Sequence, residues 1–425
     1  CIQASAQGIF EHSLRARMTY LEATDWLFQQ LPMFQRQGPA AYKANLDGTK
    51  YVLEKMGRPD LHLEGVIHVA GTNGKGSVCA AVSNALVETG FRVGLFTSPH
   101  LNDFRERMQV CGEMPPESWV ADRVNRFREE LPTWSYQPSF FEWTFGLALL
   151  WFAEEQVDVV VLETGMGGRL DSTNIFPTPL VTAVTNIGWD HQQFLGNDIR
   201  SIAAEKAGIL KDGVPVVLGR MRPEAQSVIL AAALRSGSEV YYANPSNPAS
   251  IESGPFWPEN EATANRILEV LGDQPGWRSW VRPSSVHPTG HRGRWEWMAP
   301  LDSGARVLVD CAHNVDGLER FTDAIKTIQR ARLLIVMGTV ADKDLSGFCS
   351  LLPNEAEYFF CAADIPRSLD VSTLQAAAHA VDRRGTAHSS VENALTAACD
   401  QAEAGDLVVV MGSIFVAAEA LKVLQ

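Results

Sequence analysis

The sequence contains no continuous apolar run of 18 or more residues, and its amino terminus lacks a basic segment followed by an apolar stretch and a small-residue cleavage site. A transmembrane helix and a secretory signal peptide are therefore not predicted. The seven cysteines are odd in number, lie far apart and include no CxxC pair, which argues against a disulfide framework and against a zinc site. We expect a cytoplasmic protein that does not bind membranes.

Positive charge is also scarce, because 36 lysines and arginines stand against 50 aspartates and glutamates, and the formal net charge is −14. Broad nucleic-acid binding requires a basic surface, so we expect no nucleic-acid partner. An anionic ligand would need a local pocket of positive charge. The sequence has no repeat and no low-complexity tract, and its 46% apolar and 20% charged residues are typical of a globular protein.

Short β-branched apolar runs alternate with helical patterns in both halves of the chain. They lie at 65–70, 92–97, 157–162, 180–187 and 214–218, and again at 306–310, 332–338, 357–361 and 406–411. Continuous apolarity is typical of strands that are covered on both faces, as in a parallel sheet. Between about 243 and 300 the sequence becomes rich in Pro, Gly and Ser, which indicates a domain junction.

The segment HVAGTNGKGSVCAAV (68–82) has the features of a phosphate-binding loop. Its three glycines let backbone N–H groups turn toward an anion at the start of a helix, whose dipole favours negative charge. Lys75 adds a positive charge. The standard Walker pattern places a hydroxyl residue directly after the lysine, whereas here Gly76 separates Lys75 from Ser77.

These patterns predict an α/β protein with two domains. We expect a P-loop-type domain over 18–285, with a mostly parallel sheet flanked by helices, and a smaller Rossmann-like α/β domain over 286–425. Residues 1–17 precede the first methionine, Met18, and are expected to be an extension or a tag.

Further motifs follow the loop in a fixed order. They are TSPHL (97–101), FRERMQV (104–110), LETGMGGRLDSTNI (162–175), WDHQQFLG (189–196), EKAGIL (205–210), GRWE (293–296), DCAHN (310–314) and DKD (342–344). Together with the loop, they resemble the folylpolyglutamate synthase and dihydrofolate synthase family of the Mur ligase superfamily. The resemblance spans most of the chain from 68 to 344, and the motifs are specific as a set.

The resemblance implies an ATP-dependent carbon–nitrogen ligase of folate biosynthesis and one-carbon metabolism. In this family a carboxylate attacks the γ-phosphorus of ATP, and the amine of L-glutamate then displaces phosphate from the acyl phosphate. We expect dihydropteroate and folates as acceptors, in a bifunctional enzyme that acts as a monomer. The alternatives are a folylpolyglutamate synthase alone and another Mur-type ligase.

The resemblance also implies ATP with two magnesium sites, which Mn²⁺ also suits. Ser98 and Glu163 are implied as ligands of one metal, and His191 and Lys206 as ligands of the other. The Walker analogy would instead place Ser77 on the first metal, and we favour Ser98. A nitrogen ligand is unusual for Mg²⁺ but suits Mn²⁺.

Lys206 raises a chemical problem, because an ammonium group has no acceptor and cannot bind a metal. In the family the matching lysine carries a carbamate derived from CO₂, which turns the cation into a carboxylate-like ligand. An unmodified lysine paired with Glu205 or Glu163 is the alternative.

Four residues are expected to be catalytic, namely Lys75, Glu163, His191 and Lys206. The residues expected to bind ATP are Gly71, Thr72, Asn73, Gly74, Lys75, Gly76, Ser77, Asn265, Arg294, Asp310 and His313. By resemblance Asn265 contacts adenine, Arg294 reaches the phosphates, and Asp310 with His313 holds the ribose. The segment ENEATANRI around Asn265 departs from the usual glutamine-led pattern. Contacts from both sides of the junction would place the active site in a cleft between the domains.

A flat pteridine ring needs an apolar or aromatic wall and a few polar anchors. The positions that match the dihydropteroate site of the family are Phe141, Leu170, Asp171 and Ser172. Core packing is the alternative role for Phe141, because its segment also predicts a buried helix. Phe34 and Tyr42 are candidates for a lid.

Two other classes of function are less compatible with the sequence. Cell-wall Mur ligases carry a large nucleotide-sugar domain before the loop, and the 70 residues that precede Gly71 leave no room for it. A P-loop NTPase switch would need the loop, but not Lys206, Arg294 and His313 together. We therefore expect the folate branch.

Overall fold

The computed structural model describes residues 17–32, 45–245, 249–274, 277, 291–341 and 345–424. The proposed lid residues Phe34 and Tyr42, the DKD motif and the predicted boundary at 285/286 lie outside these ranges. Residues 1–16 of the expected extension also lie outside them. The domain boundary and the extension therefore stay predictions.

The strands of the described residues form two sheets. They are β1 (Val66–Ala70), β2 (Val93–Phe96), β3 (Met108–Val110), β4 (Val159–Glu163), β5 (Val181–Val184), β6 (Val216–Leu218), β7 (Val240–Tyr242), β8 (Glu296–Trp297), β9 (Arg306–Val309), β10 (Leu333–Met337), β11 (Glu357–Phe360), β12 (Gly385–Ala387) and β13 (Leu407–Met411). The first sheet has the order β3-β2-β4-β1-β5-β6-β7, and the second has the order β12-β11-β10-β13-β9-β8. Only the pairs β2–β3 and β8–β9 are antiparallel among these strands. The predicted fold class is confirmed.

Helices connect most of the strands. In the described ranges they are α1 (Tyr20–Gln30), α2 (Asp47–Lys55), α3 (Lys75–Glu88), α4 (Glu117–Glu130), α5 (Phe140–Glu154), α6 (Gln192–Leu195), α7 (Ile199–Ala207), α8 (Pro223–Ser236), α9 (Trp257–Gly272), α10 (Val315–Lys326), α11 (Leu345–Ser350), α12 (Val371–His379), α13 (Val391–Gln401) and α14 (Ile414–Val423). None of them combines the length and the apolar character that crossing a membrane would require.

The central strands are buried on both faces, which explains their continuous apolar sequences. Every residue of β1, β4 and β5 is buried. Apolar side chains of α3 and α9 pack on one face of the first sheet. Those of α1, α4 and α5 form a second cluster with the opposite face. The second sheet likewise contributes to two separate apolar clusters.

Four short strands were not predicted from the sequence, namely β3, β7, β8 and β12. Each contains only two or three residues and lies at an edge of its sheet. The residues of β7, β8 and β12 are half-buried or exposed. Edge strands need less apolar surface, so they lack the run that identifies a central strand.

The strand order brings three loops together at the carboxyl ends of the central strands of the first sheet. Strand β1 lies between β4 and β5 and is parallel to both. The phosphate loop follows β1, Glu163 is the last residue of β4, and Thr185 follows β5 by one position. Ligands of open α/β sheets bind at the carboxyl ends of the strands where the chain order reverses.

Candidate active site

The phosphate loop is held by the segment that follows β5. The backbone N–H of Thr72 donates to the carbonyl of Asn186 (2.9 Å), and the N–H of Asn73 donates to the Asn186 side-chain oxygen (2.9 Å). The Thr72 hydroxyl also lies 3.2 Å from the carbonyl of Gly188. Lys75 is the first residue of α3, and its Nζ donates to the carbonyl of Thr72 (3.1 Å). These contacts give the loop a defined shape beside a positive charge.

Two glycines of the loop are required by close neighbours. Gly74 precedes α3 with a φ of 83°, and a Cβ atom added to it would lie 2.1 Å from Oδ1 of Asn260. A Cβ atom added to Gly76 would lie 2.7 Å from Nε2 of His291 and 3.2 Å from Oε2 of Glu163. Any side chain at these positions would displace polar groups from the start of the helix.

Ser77 lies inside the first turn of α3 and is buried, while Gly74 occupies the N-cap position. Ser77 is therefore not the capping residue of the helix. Its backbone N–H lies at the end of the helix where the dipole favours an anion.

Glu163 and Ser98 lie together next to the loop. The backbone N–H of Ser98 donates to Oε2 of Glu163 (2.9 Å), and the Glu163 side chain is buried. Burial raises the pKa of this carboxyl, although Lys75, the Ser98 N–H and Arg294 act in the opposite direction. A buried carboxylate with cationic neighbours provides the hard oxygen ligand that Mg²⁺ prefers.

Lys206 also contacts the loop. Its side chain is buried, and its Nζ donates to the carbonyl of Gly71 (2.7 Å). Burial and, after it, the charge of Lys75 lower the pKa of Lys206 to about 7. Glu205, which the sequence offered as a possible partner, instead forms an ion pair with Arg169 (2.8 Å).

Asp190 lies between His191 and His313, and His313 follows strand β9 of the second sheet. Its Oδ2 lies 3.8 Å from Nε2 of His191 and 3.8 Å from Nε2 of His313. His191 has a φ of 51°, which is uncommon for a residue with a side chain, and it follows the strand β5 by seven positions. The two predicted histidines therefore lie around one carboxylate.

The loop also contacts the start of α10 directly. The side-chain amides of Asn73 and Asn314 exchange two hydrogen bonds, with distances of 3.3 and 2.9 Å. The Trp189 N–H donates to Oδ2 of Asp316 (2.7 Å). Asn314 belongs to the DCAHN motif, but its contact with the loop and the role of Asp316 were not predicted.

Arg294 and Asp310 lie close together at the same junction. Both Asp310 oxygens accept backbone N–H groups, from Trp295 and Ala312, at 2.7 Å each. Burial raises the pKa of Asp310, and Arg294 opposes that effect. Burial also acts against the charge of Arg294, but Asp310 and Glu163 help to raise its pKa. Arg294 is therefore a cation near both Asp310 and Glu163.

The structure separates the two asparagines of α9. Asn265 is exposed, whereas Asn260 is buried and its side chain contacts Gly74 of the phosphate loop. Five positions on a helix point to different faces, so only one of the two can face the loop. Asn260 was not predicted.

Two of the predicted pteroate residues, Phe141 and Asp171, lie close to Gly165, two positions after Glu163. A Cβ atom added to Gly165 would lie 2.5 Å from the Phe141 ring and 3.2 Å from Oδ2 of Asp171. Phe141 is half-buried and packs edge-to-face on Phe96, with ring centroids 5.7 Å apart.

The short run that follows is held by local hydrogen bonds. The Asp171 carboxylate accepts the N–H groups of Met166 and Thr173, and the Ser172 hydroxyl accepts from Thr49 (2.8 Å). Leu170 is half-buried. The run therefore has a fixed position beside Phe141.

A cleft of about 580 Å³ opens beside the loop, between the two sheets. Its wall includes Asn73 and Asn186 from the first sheet's side and Asp316 from α10, and Phe256 and Met221 add apolar surface. Its size is that of a small-molecule site. In the described part of the chain, no three His, Cys, Asp or Glu side chains are grouped as a ready metal site.

The chain is similar to proteins of known function over most of its length. Residues 293–414 match the family model described as Mur ligase, glutamate ligase domain. The dihydrofolate synthase/folylpolyglutamate synthase of Bacillus subtilis is 32% identical over 382 residues, which cover 82% of this chain and 86% of that protein. The protein of the same name from Escherichia coli is 33% identical over 384 residues, covering 85% of this chain and 86% of that one.

Solved structures give the same result. E. coli FolC in complex with DHPP and ADP has a TM-score of 0.81 and 29% identity, covering 97% of this chain and 99% of that one. The Yersinia pestis bifunctional folylpolyglutamate synthase/dihydrofolate synthase complexed with AMPPNP and Mn ion has a TM-score of 0.80 and 27% identity, with the same coverage.

Proposed function

Because the chain belongs to the folylpolyglutamate synthase/dihydrofolate synthase family of ATP-dependent ligases, we propose that it joins L-glutamate to dihydropteroate and also extends folate (poly)glutamates. Its membership rests on relatives that are 32% and 33% identical over 82% and 85% of the chain, so the predicted family resemblance is confirmed. The observation that carries the proposal is the convergence of Lys75, Glu163 and Lys206 on one phosphate loop.

The reaction requires two anions to meet, because a carboxylate oxygen of the acceptor attacks the γ-phosphorus of ATP. ADP leaves, and the amine of L-glutamate then displaces phosphate to form the amide. We propose that Lys75 and the N–H groups at the start of α3 bind the phosphates and stabilise the developing charge. Arg294 adds a second cation from the other side of the site.

Divalent metal ions would supply further positive charge between the two anions. We propose that Ser98 and Glu163 hold one ion and that His191 and Lys206 hold the other. The Glu163 carboxylate fits this role because it is buried and already oriented by the Ser98 N–H. The alternative assignment to Ser77 has less support, because Ser77 lies at the third position of α3.

For Lys206 we propose the carbamate form. Only an uncharged amine forms the N–C bond to CO₂, with release of a proton, and a pKa lowered to about 7 makes this form available at neutral pH. The carbamate oxygens would then serve as metal ligands, which the ammonium group cannot do. The buried position beside Gly71 would protect the modified side chain from water.

We propose that the nucleotide follows the loop into the cleft between the sheets. Asn260 is better placed than Asn265 to contact adenine, because it is buried against Gly74. Asp310 and His313 would lie near the ribose. These residues come from both sides of the junction, as expected for a site in a cleft.

The acceptor would lie against Phe141 and the run Leu170, Asp171 and Ser172. Phe141 and Asp171 of this wall lie next to Gly165, which follows Glu163 by two positions, so an acceptor bound there would direct its carboxylate toward the γ-phosphate. That the enzyme acts as a monomer stays a prediction.

The direct test measures ADP release with ATP, Mg²⁺ and L-glutamate in parallel assays with dihydropteroate and with tetrahydrofolate. We expect release with each acceptor and none when glutamate or the acceptor is omitted. Glu163→Gln should abolish release, and Glu64→Gln, at an exposed position, should not. ADP release without an acceptor would indicate an NTPase. ADP release in the tetrahydrofolate assay but not in the dihydropteroate assay would exclude the dihydropteroate activity.

A further inference from the structure

The imidazole of His291 lies against Gly76, in the first turn of α3. A Cβ atom added to Gly76 would lie 2.6 Å from Cε1 and 2.7 Å from Nε2 of this imidazole. His291 is distant from the loop in sequence and comes from the segment just before Arg294. The imidazole therefore fills the space that a side chain at position 76 would take.

This space has a known role in ordinary phosphate loops. There the residue after the lysine is Ser or Thr, and its hydroxyl binds Mg²⁺. Here that residue is Gly76, and the nearest polar atom to the missing side chain is Nε2 of His291. The glycine that separates Lys75 from Ser77 thus makes room for a nitrogen from another part of the chain.

Two further observations indicate a metal rather than a protein partner. Nε2 of His291 is fully buried and has no hydrogen-bond partner among the residues that the structure describes. Oε2 of Glu163 lies 3.2 Å from the same hypothetical Cβ atom. A carboxylate oxygen and an imidazole nitrogen therefore face one spot at the start of the helix. Buried polar atoms without a partner call for an explanation, and an absent ion is one.

We propose that Nε2 of His291 is a further ligand of the divalent ion held by Glu163, and that it makes this site prefer Mn²⁺ over Mg²⁺. The inference rests on the proposed function, since it needs a nucleotide-bound ion at the loop. Imidazole suits transition metals, whereas Mg²⁺ favours oxygen ligands. His291 would thus set metal preference at a position where other phosphate loops use a hydroxyl.

The test is a competition titration on the full chain with ADP, in which Mg²⁺ displaces Mn²⁺ and EPR reports free Mn²⁺. His291→Ser replaces the nitrogen by an oxygen, and we expect the preference for Mn²⁺ to fall by about 10-fold or more. His62→Ser is the matched control, because His62 is exposed in a short 3₁₀ helix outside the site. It should leave the preference unchanged.

A second readout does not depend on the folding of a His291 variant. In His191→Ala, where His191 no longer supplies an imidazole to either metal, pulsed EPR of the Mn²⁺–ADP complex should still detect coupling to an imidazole nitrogen. Loss of that coupling, or an unchanged metal preference in His291→Ser, would overturn the proposal. A loss of nucleotide affinity in His291→Ser without any metal would also overturn it, because the imidazole would then contact phosphate. If the unaltered chain bound neither ADP nor Mn²⁺, the proposed function itself would fail.

Discussion

Replacing Lys206 by methionine should stabilise the protein at low pH and destabilise it at high pH. The lysine is buried, and its pKa is lowered from the ordinary 10.5 to about 7, first by burial and then by Lys75, against the opposing effect of Asp190 and Asp171. A folded pKa below the unfolded value means that the protonated lysine destabilises the fold. That contribution is complete below pH 7 and disappears as the pH rises toward 10.5.

The expected magnitude follows from the same values. The lowered pKa corresponds to a cost of about 5 kcal/mol at pH 6 and of about 1 kcal/mol at pH 9.5. Methionine removes this cost but also leaves the Gly71 carbonyl without its donor, which destabilises by roughly 2 kcal/mol at either pH. Lys206→Met should therefore gain about 3 kcal/mol in the free energy of unfolding at pH 6 and lose about 1 kcal/mol at pH 9.5.

Urea unfolding followed by tryptophan fluorescence at both pH values, in buffers free of CO₂, measures this difference. The slope against urea concentration must match between variant and parent, so that the free energies are comparable. Lys326→Met, at a lysine whose side chain is 55% exposed, is the control and should show no change of sign. Parallel pH profiles for the parent and Lys206→Met would refute the reasoning, because the lysine would then be equally charged in both states.

Three further predictions concern the junction and the site. Gly188→Ala would place a Cβ atom 2.0 Å from Oδ2 of Asp316. It should therefore lower the free energy of unfolding by about 2 kcal/mol in the parent, and by much less when Asp316 is already replaced by alanine. Urea unfolding of the two single variants and the double variant measures this difference. Asn260→Ala should weaken ATP binding by about 10-fold in calorimetry, whereas Asn265→Ala should leave it unchanged. Glu163→Gln removes the charge that faces the metal, so binding of Mn²⁺ to the ADP complex, measured by EPR, should weaken by at least about 10-fold.

Each of these has a result that contradicts it. Equal costs of Gly188→Ala in both backgrounds would mean that Asp316 is not the obstacle. A larger effect at Asn265 than at Asn260 would restore the original assignment from the sequence. Unchanged Mn²⁺ binding in Glu163→Gln would remove this carboxylate from the metal site.

The central strands and the phosphate loop can be predicted from local sequence alone. Continuous apolar runs identify β1, β4 and β5 because both faces of these strands are buried, and such burial leaves few other residue types. Glu163 could be assigned to the site for a related reason. It ends the run of β4, and the carboxyl ends of parallel strands meet at one edge of a sheet.

Residues on helices were harder to assign. Asn260 and Asn265 lie on the same helix, α9, and both have the amide group that could contact adenine. The face that packs toward the loop depends on how α9 lies on α3, which apolar residues distributed along both helices decide together. The sequence therefore could not show that Asn260, and not Asn265, faces Gly74. The predicted contact of Asn265 with adenine stays a prediction.

By itself, then, the sequence determined the class of fold, the glycine loop and the residues that follow central strands, because these features depend on neighbours within a few positions. The reaction family followed from the ordered set of motifs between 68 and 344. Only the tertiary structure decided that Asn314 pairs with Asn73, that Asp316 approaches Gly188 and that His291 covers Gly76. The partners in these pairs are separated by more than 100 residues, so their contacts depend on how segments from the two halves of the chain come together. No local pattern records that packing.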